Sequence, residues 1–496
     1  MNAGAGCICN GFHHLVVLLM STPHTTTATA PATVPSERVL KIMLWLVAIG
    51  FFMDMLDGTI VNTALPSMAR SLGERALNMQ SVVIAYSLTM AVLIPVSGWL
   101  ADKFGTRHVF FSAILVFTLG SLMCAHSHTL AQLVTWRVVQ GVGGSMLMPV
   151  GRLAVLRTFP AERYLPAIAF VTIPGLIGPL VGPTLGGWLV HIASWHWIFL
   201  INVPVGLAGC IATFLFMPDS RLPTSGFDLP GYLLLVVGMV TISVALDGHA
   251  ELGLENAIML VLLVLSLAAF IAYWLYAARV PKPIFPLDIF HIHSFRVGLP
   301  GNLFARIGSG AMPYLLPLLL QVALGYSALD AGMMMLPTAI AGILSKRLVT
   351  PLITRYGYRR VLLANTVLVG LAIAGFALSA PREPLWLRLV QLAFFGGVNS
   401  LQFTAMNTLT LKDLGTAGAS SGNSLFSLVQ MLSMSLGVAI AGALLSTFTG
   451  LIAHVTQANA LSAFRATFVC MGAITTASAW IFAQIPPEKR QPVKQR

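Results

Sequence analysis

Apolar residues in this chain gather into long unbroken runs, each about twenty residues, separated by short polar loops. Runs of that length read as membrane-spanning helices. The pattern predicts fourteen, near 39–66, 79–101, 108–126, 130–155, 165–192, 196–217, 229–248, 256–278, 297–324, 329–353, 360–380, 385–411, 422–448 and 461–484. No connecting stretch is long enough for a soluble domain. The expected fold class is an all-α integral membrane protein.

Composition strengthens this picture. Of 496 residues, 57% are hydrophobic and 9% charged, and the mean hydropathy is +0.85. A soluble globular protein carries about 25% charge. So little charge excludes a water-soluble enzyme, a disordered chain and a disulfide-stapled secreted domain. The net charge of +12 would point to nucleic acid in a soluble protein. Here the basic residues sit in short clusters between apolar runs, with no basic stripe interleaved with aromatics, so they read as topology signals. The expected partner is the lipid bilayer, not nucleic acid. Cys124, Cys210 and Cys470 lie inside apolar runs and read as small buried hydrophobes. Cys7 and Cys9, with His13 and His14 nearby, are followed by nothing at ligand spacing, so neither a metal site nor a cofactor is expected. Residues 1–38 read as a disordered tail, rich in Thr, Ala and Pro over Ser21–Ser36. Met20 is an alternative start, which makes 1–19 a candidate extension that is not native. N-terminal sequencing that began at Met1 would reject this.

Orientation follows from Lys and Arg in the loops. With the N-terminus in the cytoplasm, the inner loops hold Lys103, Arg107, Arg157, Arg163, Arg221, Arg279, Lys282, Arg296, Arg355, Arg359, Arg360 and Lys412. The C-terminal tail adds Lys489, Arg490, Lys494 and Arg496. The outer loops hold Arg70, Arg75, Arg382 and Arg388. The bias is roughly four to one and places both termini inside. The expected location is a bacterial inner (cytoplasmic) membrane.

The chain also repeats itself. The second and third spans are joined by Asp102-Lys-Phe-Gly105-Thr-Arg107, the tenth and eleventh by Thr354-Arg-Tyr-Gly357-Tyr-Arg359-Arg360. The fourth span opens with Arg137-x-x-Gln140 and then Gly141, Gly143 and Gly144; the twelfth opens with Arg388-x-x-Gln391 and then Gly396 and Gly397. Two homologous six-helix halves plus a central pair account for fourteen spans. The expected divisions are 39–217, 218–296 for the central pair and linker, 297–484, and a basic tail at 485–496. Repeats of this kind point to an alternating-access transporter with its site between the halves.

These motifs resemble known signatures. Gly98-Trp-Leu-Ala-Asp102-Lys-Phe-Gly105-Thr-Arg107 resembles the loop signature of the major facilitator superfamily. Gly178-Pro179-Leu-Val-Gly182-Pro183-Thr-Leu-Gly186-Gly187 resembles the antiporter signature of its drug/proton exchangers. Leu56-Asp57-Gly-Thr59-Ile-Val-Asn62-Thr-Ala-Leu65-Pro66 and Phe227-Asp228-Leu-Pro-Gly231 are similar to its fourteen-helix drug/proton antiporter branch. The resemblance covers about 38–485. It implies the major facilitator fold and a multidrug exporter driven by protons. Thr354, standing where the first half has Asp102, departs from a symmetric pair of gating loops.

Each motif also has a physical reading. A charge at bilayer depth costs about 3 kcal/mol or more, so Asp57 should face a cavity or a partner. Burial favours the neutral form, which lets such an acid bind and release protons. Asp54 lies one turn earlier on the same face. A purely structural, water-lining or hydrogen-bonding role stands open for both. Arg137 is the natural partner for an intramembrane acid, as proton relay by resemblance or as a fixed ion pair, and Gln140 lies one turn on. Gly178, Pro179, Gly182, Pro183, Gly186 and Gly187 allow close helix approach and bending between the halves, or plain packing. Asp102 could cap a helix and latch one conformation, with Gly98, Gly105 and Arg107, or anchor topology. Arg306 lies too deep for easy snorkelling. With Asn62, Gln321, Gln391 and Asn399 it is a candidate lining of the substrate cavity. Arg152 sits near a span end and could snorkel. The run Met333–Met335 suits an adaptable pocket or core filling.

The function expected is a proton-coupled antiporter exporting drugs or other small molecules as a monomer. The alternative is export of a small organic anion or a metal–carboxylate complex such as citrate or iron-citrate, motivated by Arg306 and Arg152. An intramembrane enzyme would need a nucleophile–base pair or metal ligands at depth. No His-Glu-x-x-His or Gly-x-Ser-x-Gly occurs. A sensor would need a signalling domain, for which the loops leave no room. Only the resemblance of the fifth span argues against an importer.

Overall fold

A computed structural model describes residues 36–486, apart from 160, 223–225, 252–255, 415–418 and 451–456. The expectations for 1–35 and 487–496 lie outside the described residues.

Backbone polar groups in lipid must be satisfied within the chain, which favours helices throughout. Fourteen helical spans are followed among the described residues. They are α1 (Glu37–Leu72), α2 (Gln80–Phe104), α3 (Thr106–Ala125), α4 (Leu130–Thr158), α5 (Ala161–Ile192), α6 (Trp197–Phe216), α7 (Leu229–Glu251) and α8 (Asn256–Ala277). After them come α9 (His293–Ala323), α10 (328–356), α11 (358–375), α12 (Leu385–Leu411), α13 (Ala419–Gly450) and α14 (Gln457–Ala483). The ends follow local rules. Ser36 caps α1 through its hydroxyl, and Gly73 closes it at φ 70°. The helix α9 contains Pro300, Pro313 and Pro317 and finishes in a π-turn over Leu319–Ala323.

The repeat is visible in the backbone. Gly105 turns α2 into α3 at φ 94°, ψ 145°, and Gly357 turns α10 into α11 at φ 77°, ψ 159°. Both values lie where only glycine is unstrained. Packing repeats as well. α1 lies against α5 as α9 lies against α13, and α3 against α6 as α11 against α14. The halves meet along α2–α13 and α5–α10. The central pair α7–α8 packs on α13 and touches α2, sharing a core of Ala91, Met239, Phe285, Phe295 and Phe426.

On the face carrying the α1–α2 and α5–α6 loops the halves are closed on each other. Gln321 Nε2 donates to Thr63 O at 2.8 Å and Thr184 Oγ1 to Gly332 O at 3.1 Å. A Cβ on Gly187 would strike the Ala328 carbonyl, and one on Gly332 the Pro183 carbonyl. One apolar core runs across both halves there, from Leu56 and Phe199 to Tyr314 and Phe468.

One expectation changes. Arg388 does not sit in an outer loop: it is 2% exposed and donates to Tyr326 Oη (2.5 Å), Ala380 O (2.7 Å) and Glu383 Oε2 (3.3 Å). Ala380 and Glu383 belong to the loop before α12 and Tyr326 to the loop between α9 and α10, while Arg388 Nε has no partner among the described residues.

Candidate functional site

The buried polar centre of the N-terminal half is built by five helices, α1, α2, α3, α4 and α6. α1 supplies Asp57, wholly buried, and α4 supplies Arg137 at 1% exposure. Arg137 Nη1 donates to Asp57 Oδ2 at 2.5 Å and to Gln140 Oε1 at 2.7 Å, and Nε donates to Val82 O at 3.2 Å. Gln140 Nε2 donates to Asp57 Oδ1 at 2.9 Å and to Ser121 Oγ of α3 at 2.7 Å. Asn202 of α6 donates to Asp57 Oδ1 at 3.1 Å and to Ser121 Oγ at 3.3 Å. Asp57 therefore accepts from three side chains, one of them a cation. That is the condition under which a charge is tolerated at this depth. The guanidinium lies 4.2 Å from the Tyr86 ring centroid, a cation–π contact.

Asp54, one turn before Asp57, has different company. It accepts from Tyr86 Oη at 2.7 Å, and its second oxygen is buried without a hydrogen-bond partner among the described residues. Sequence reasoning finds Asp57, Asp54, Arg137 and Gln140. It misses Tyr86, Asn202 and Ser121, whose one available signal was a neutral polar residue inside an apolar run.

The glycines of α5 explain why α1 sits where it does. A Cβ at Gly178 would lie 2.8 Å from Leu56 N and one at Gly186 2.5 Å from Ile60 O, while one at Gly182 would meet Thr59 Oγ1. The stripe lays α5 on the α1 backbone either side of Asp57. Gly187 instead faces α10. Pro179 is exposed and Pro183 lies at the α10 contact.

In the α2–α3 loop, Asp102 pairs with Arg157 at the end of α4. It does not cap α3. That helix start is met by Asp219, which accepts from Arg107 N at 3.3 Å. Residues 218–222 pass alongside, with Thr106 N donating to Ser220 O and Leu222 N to Asp102 O. Gly105 Cβ would collide with the Asp219 carboxylate, whereas Gly98 Cβ would meet nothing within 4 Å. Gly105→Ala is expected to cost about 1 kcal/mol or more and Gly98→Ala almost nothing. Melting midpoints in detergent check this, and equal midpoints would contradict it.

In the other half Arg306 lines a cavity of about 120 Å³ with Ser309, Pro313, Asn399, Phe403 and Met434. Its guanidinium lies 4.3 Å from the Phe403 ring centroid, and Nε and Nη1 are buried without hydrogen-bond partners among the described residues. Gln391 Oε1 is likewise unpartnered. Asn62 donates back to Gly58 O and Thr59 O of its own helix, and Gln321 belongs to the closed face.

Comparison with known proteins agrees with this architecture. The chain is 53% identical to "Putative multidrug resistance protein MdtD" of Serratia proteamaculans (strain 568) over 449 residues, 90% of this chain and 93% of that one. It is 49% identical to the protein of the same name from Pectobacterium atrosepticum over 460 residues, 93% and 97% of the two chains. The crystal structure of a POT family transporter in complex with 5-aminolevulinic acid superposes with a TM-score of 0.63 at 16% identity, covering 90% of this chain and 95% of that one, and shows the fold. The protein is a multi-pass membrane transporter, not an enzyme. The family model described as Major Facilitator Superfamily matches residues 47–438, and the chain belongs to that superfamily.

Proposed function

We propose that this protein is a proton-coupled efflux antiporter, exporting drugs or other small molecules by alternating access across a bacterial inner membrane, with both termini cytoplasmic. The observation that carries the reading is the buried group of Asp54, Asp57, Arg137 and Gln140. An acid pair beside one guanidinium, at bilayer depth, is the equipment a proton-exchanging site requires. Relatives named for multidrug resistance support drugs as the first substrate class. The halves would rock about the contacts of α2–α13 and α5–α10, opening the face that Gln321 and Thr184 now hold shut. The test is efflux of ethidium from proteoliposomes with an imposed proton gradient. The reading expects efflux that follows the gradient and collapses with a protonophore; efflux indifferent to both would refute it.

Arg306 favours a second reading, export of a small organic anion or a metal–carboxylate complex such as citrate or iron-citrate. A guanidinium with two buried unpaired nitrogens is a ready receptor for a carboxylate. On this reading Arg306→Ala abolishes citrate transport and spares ethidium efflux. Loss of both, or of neither, would remove the support that Arg306 gives.

A further inference from the structure

The buried acid pair of α1 is treated unequally by its surroundings, and we propose that Asp54 holds the exchangeable proton in this conformation while Asp57 remains ionised. The proposal rests on the proton-coupled reading for its use in transport, but it is a separate statement about two carboxyl groups.

Charge balance is the first argument. The cluster contains Asp54, Asp57 and Arg137, all buried. With both acids ionised it carries a net negative charge in a medium that solvates charge poorly. With one acid neutral it balances. Donor count decides which acid that is. Asp57 takes the guanidinium, the Gln140 amide and the Asn202 amide. Asp54 takes one neutral hydroxyl, and its other oxygen has no partner. A carboxylate so placed is far costlier than a carboxylic acid.

Among the described residues, the groups facing Asp54 supply no compensating cation. From α2 comes Tyr86, already donating to Oδ1. From α4 come the Gly144 backbone and Arg137, which donates to Asp57, Gln140 and Val82 O. Arg152, further along α4, stacks its guanidinium over Phe51 at 5.8 Å from the ring centroid. On α1 itself the neighbour is Asp57, a like charge on the same helix face one turn away. Its negative charge also favours the neutral form of Asp54.

The division gives each acid one task. Asp57 holds α1, α4 and α6 together through its donors. Asp54 exchanges a proton through a single hydroxyl contact that costs little to break.

The experiment is infrared difference spectroscopy on the purified full-length protein in lipid at neutral pH, with Asp54→Asn, the charge-balanced pair Asp57→Asn/Arg137→Gln, and Tyr86→Phe. The expected result is a protonated-carboxyl C=O band that vanishes in Asp54→Asn and persists in Asp57→Asn/Arg137→Gln, where no cation is left to favour the ionised form of Asp54. Tyr86→Phe should move it to higher frequency, since one hydrogen bond to that carboxyl is lost. A band that survives in Asp54→Asn, or no such band in the wild type, overturns the proposal. A companion measurement separates misfolding from protonation. Asp54→Asn should unfold cooperatively in detergent near the wild-type midpoint while losing proton-driven efflux; proton-driven efflux at the wild-type rate would also overturn the assignment. If the wild type moves no protons at all but the band behaves as expected, the proton-coupled reading fails and the assignment of the two carboxyl groups stands.

Discussion

Asp57→Asn is expected to abolish transport and to weaken the N-terminal half. The substitution leaves Arg137 buried with two neutral acceptors, Gln140 Oε1 and Val82 O, and no carboxylate bonded to it among the described residues. Removing one partner of a buried ion pair costs about 3–5 kcal/mol. Asparagine can keep one acceptor for the amides of Gln140 and Asn202, so the low end of that range applies. The partner substitution gives the sharper forecast. Asp57→Asn with Arg137→Gln removes both charges together and should recover most of the lost melting midpoint without recovering transport. Thermal unfolding in detergent, paired with ethidium efflux in proteoliposomes, reads both quantities. A double variant no more stable than the single one would show that the pair is not coupled as its geometry implies.

The second large effect concerns the closed face. Gly187 of α5 and Gly332 of α10 bring two backbones into contact between the halves, each glycine against the opposite carbonyl. Valine at either position inserts atoms where a main chain already lies. Overpacking a well-fitted contact typically costs about 1–3 kcal/mol, and here the strain falls on one conformation alone. Gly187→Val and Gly332→Val should therefore fold but fail to close, and efflux should drop to background. A cysteine at Thr184, which now bonds Gly332 O, should become more reactive toward a membrane-impermeant thiol reagent in those backgrounds than in the parent. Unchanged efflux and unchanged reactivity would mean that this contact plays no part in the cycle.

Much of the architecture is legible from hydropathy, because lipid leaves the backbone few choices. The doubled loop signature marks two equivalent junctions, where the structure holds Gly105 and Gly357 at positive φ. Asp57 and Arg137 stand out because an ionisable residue inside an apolar run is costly and so conspicuous. Other parts are silent for equally physical reasons. Tyr86, Ser121 and Asn202 are neutral polar residues of the kind many spans contain. Only tertiary packing of α2, α3 and α6 on α1 brings them to the two acids. The glycine stripe of α5 announces a close approach, but not that its partner is α1 along Gly178–Gly186 and α10 at Gly187. Residues 218–222 carry no signature, and their docking on the α2–α3 loop through Asp219 appears only in three dimensions. Arg388 shows the limit of the repeat. It occupies the position equivalent to Arg137, but its acceptors come from the α9–α10 and α11–α12 loops instead of from a facing helix.

The most direct measurement is proton movement on addition of ethidium or citrate to proteoliposomes loaded with a pH-sensitive dye, comparing the wild type with Asp54→Asn/Asp57→Asn. A cooperative thermal unfolding transition in detergent, measured before reconstitution, reports that each protein is folded. The wild type should exchange protons for at least one of the two probes, and the double variant should exchange none. Wild-type transport of a probe with no proton movement, or undiminished exchange in the double variant, would contradict the account.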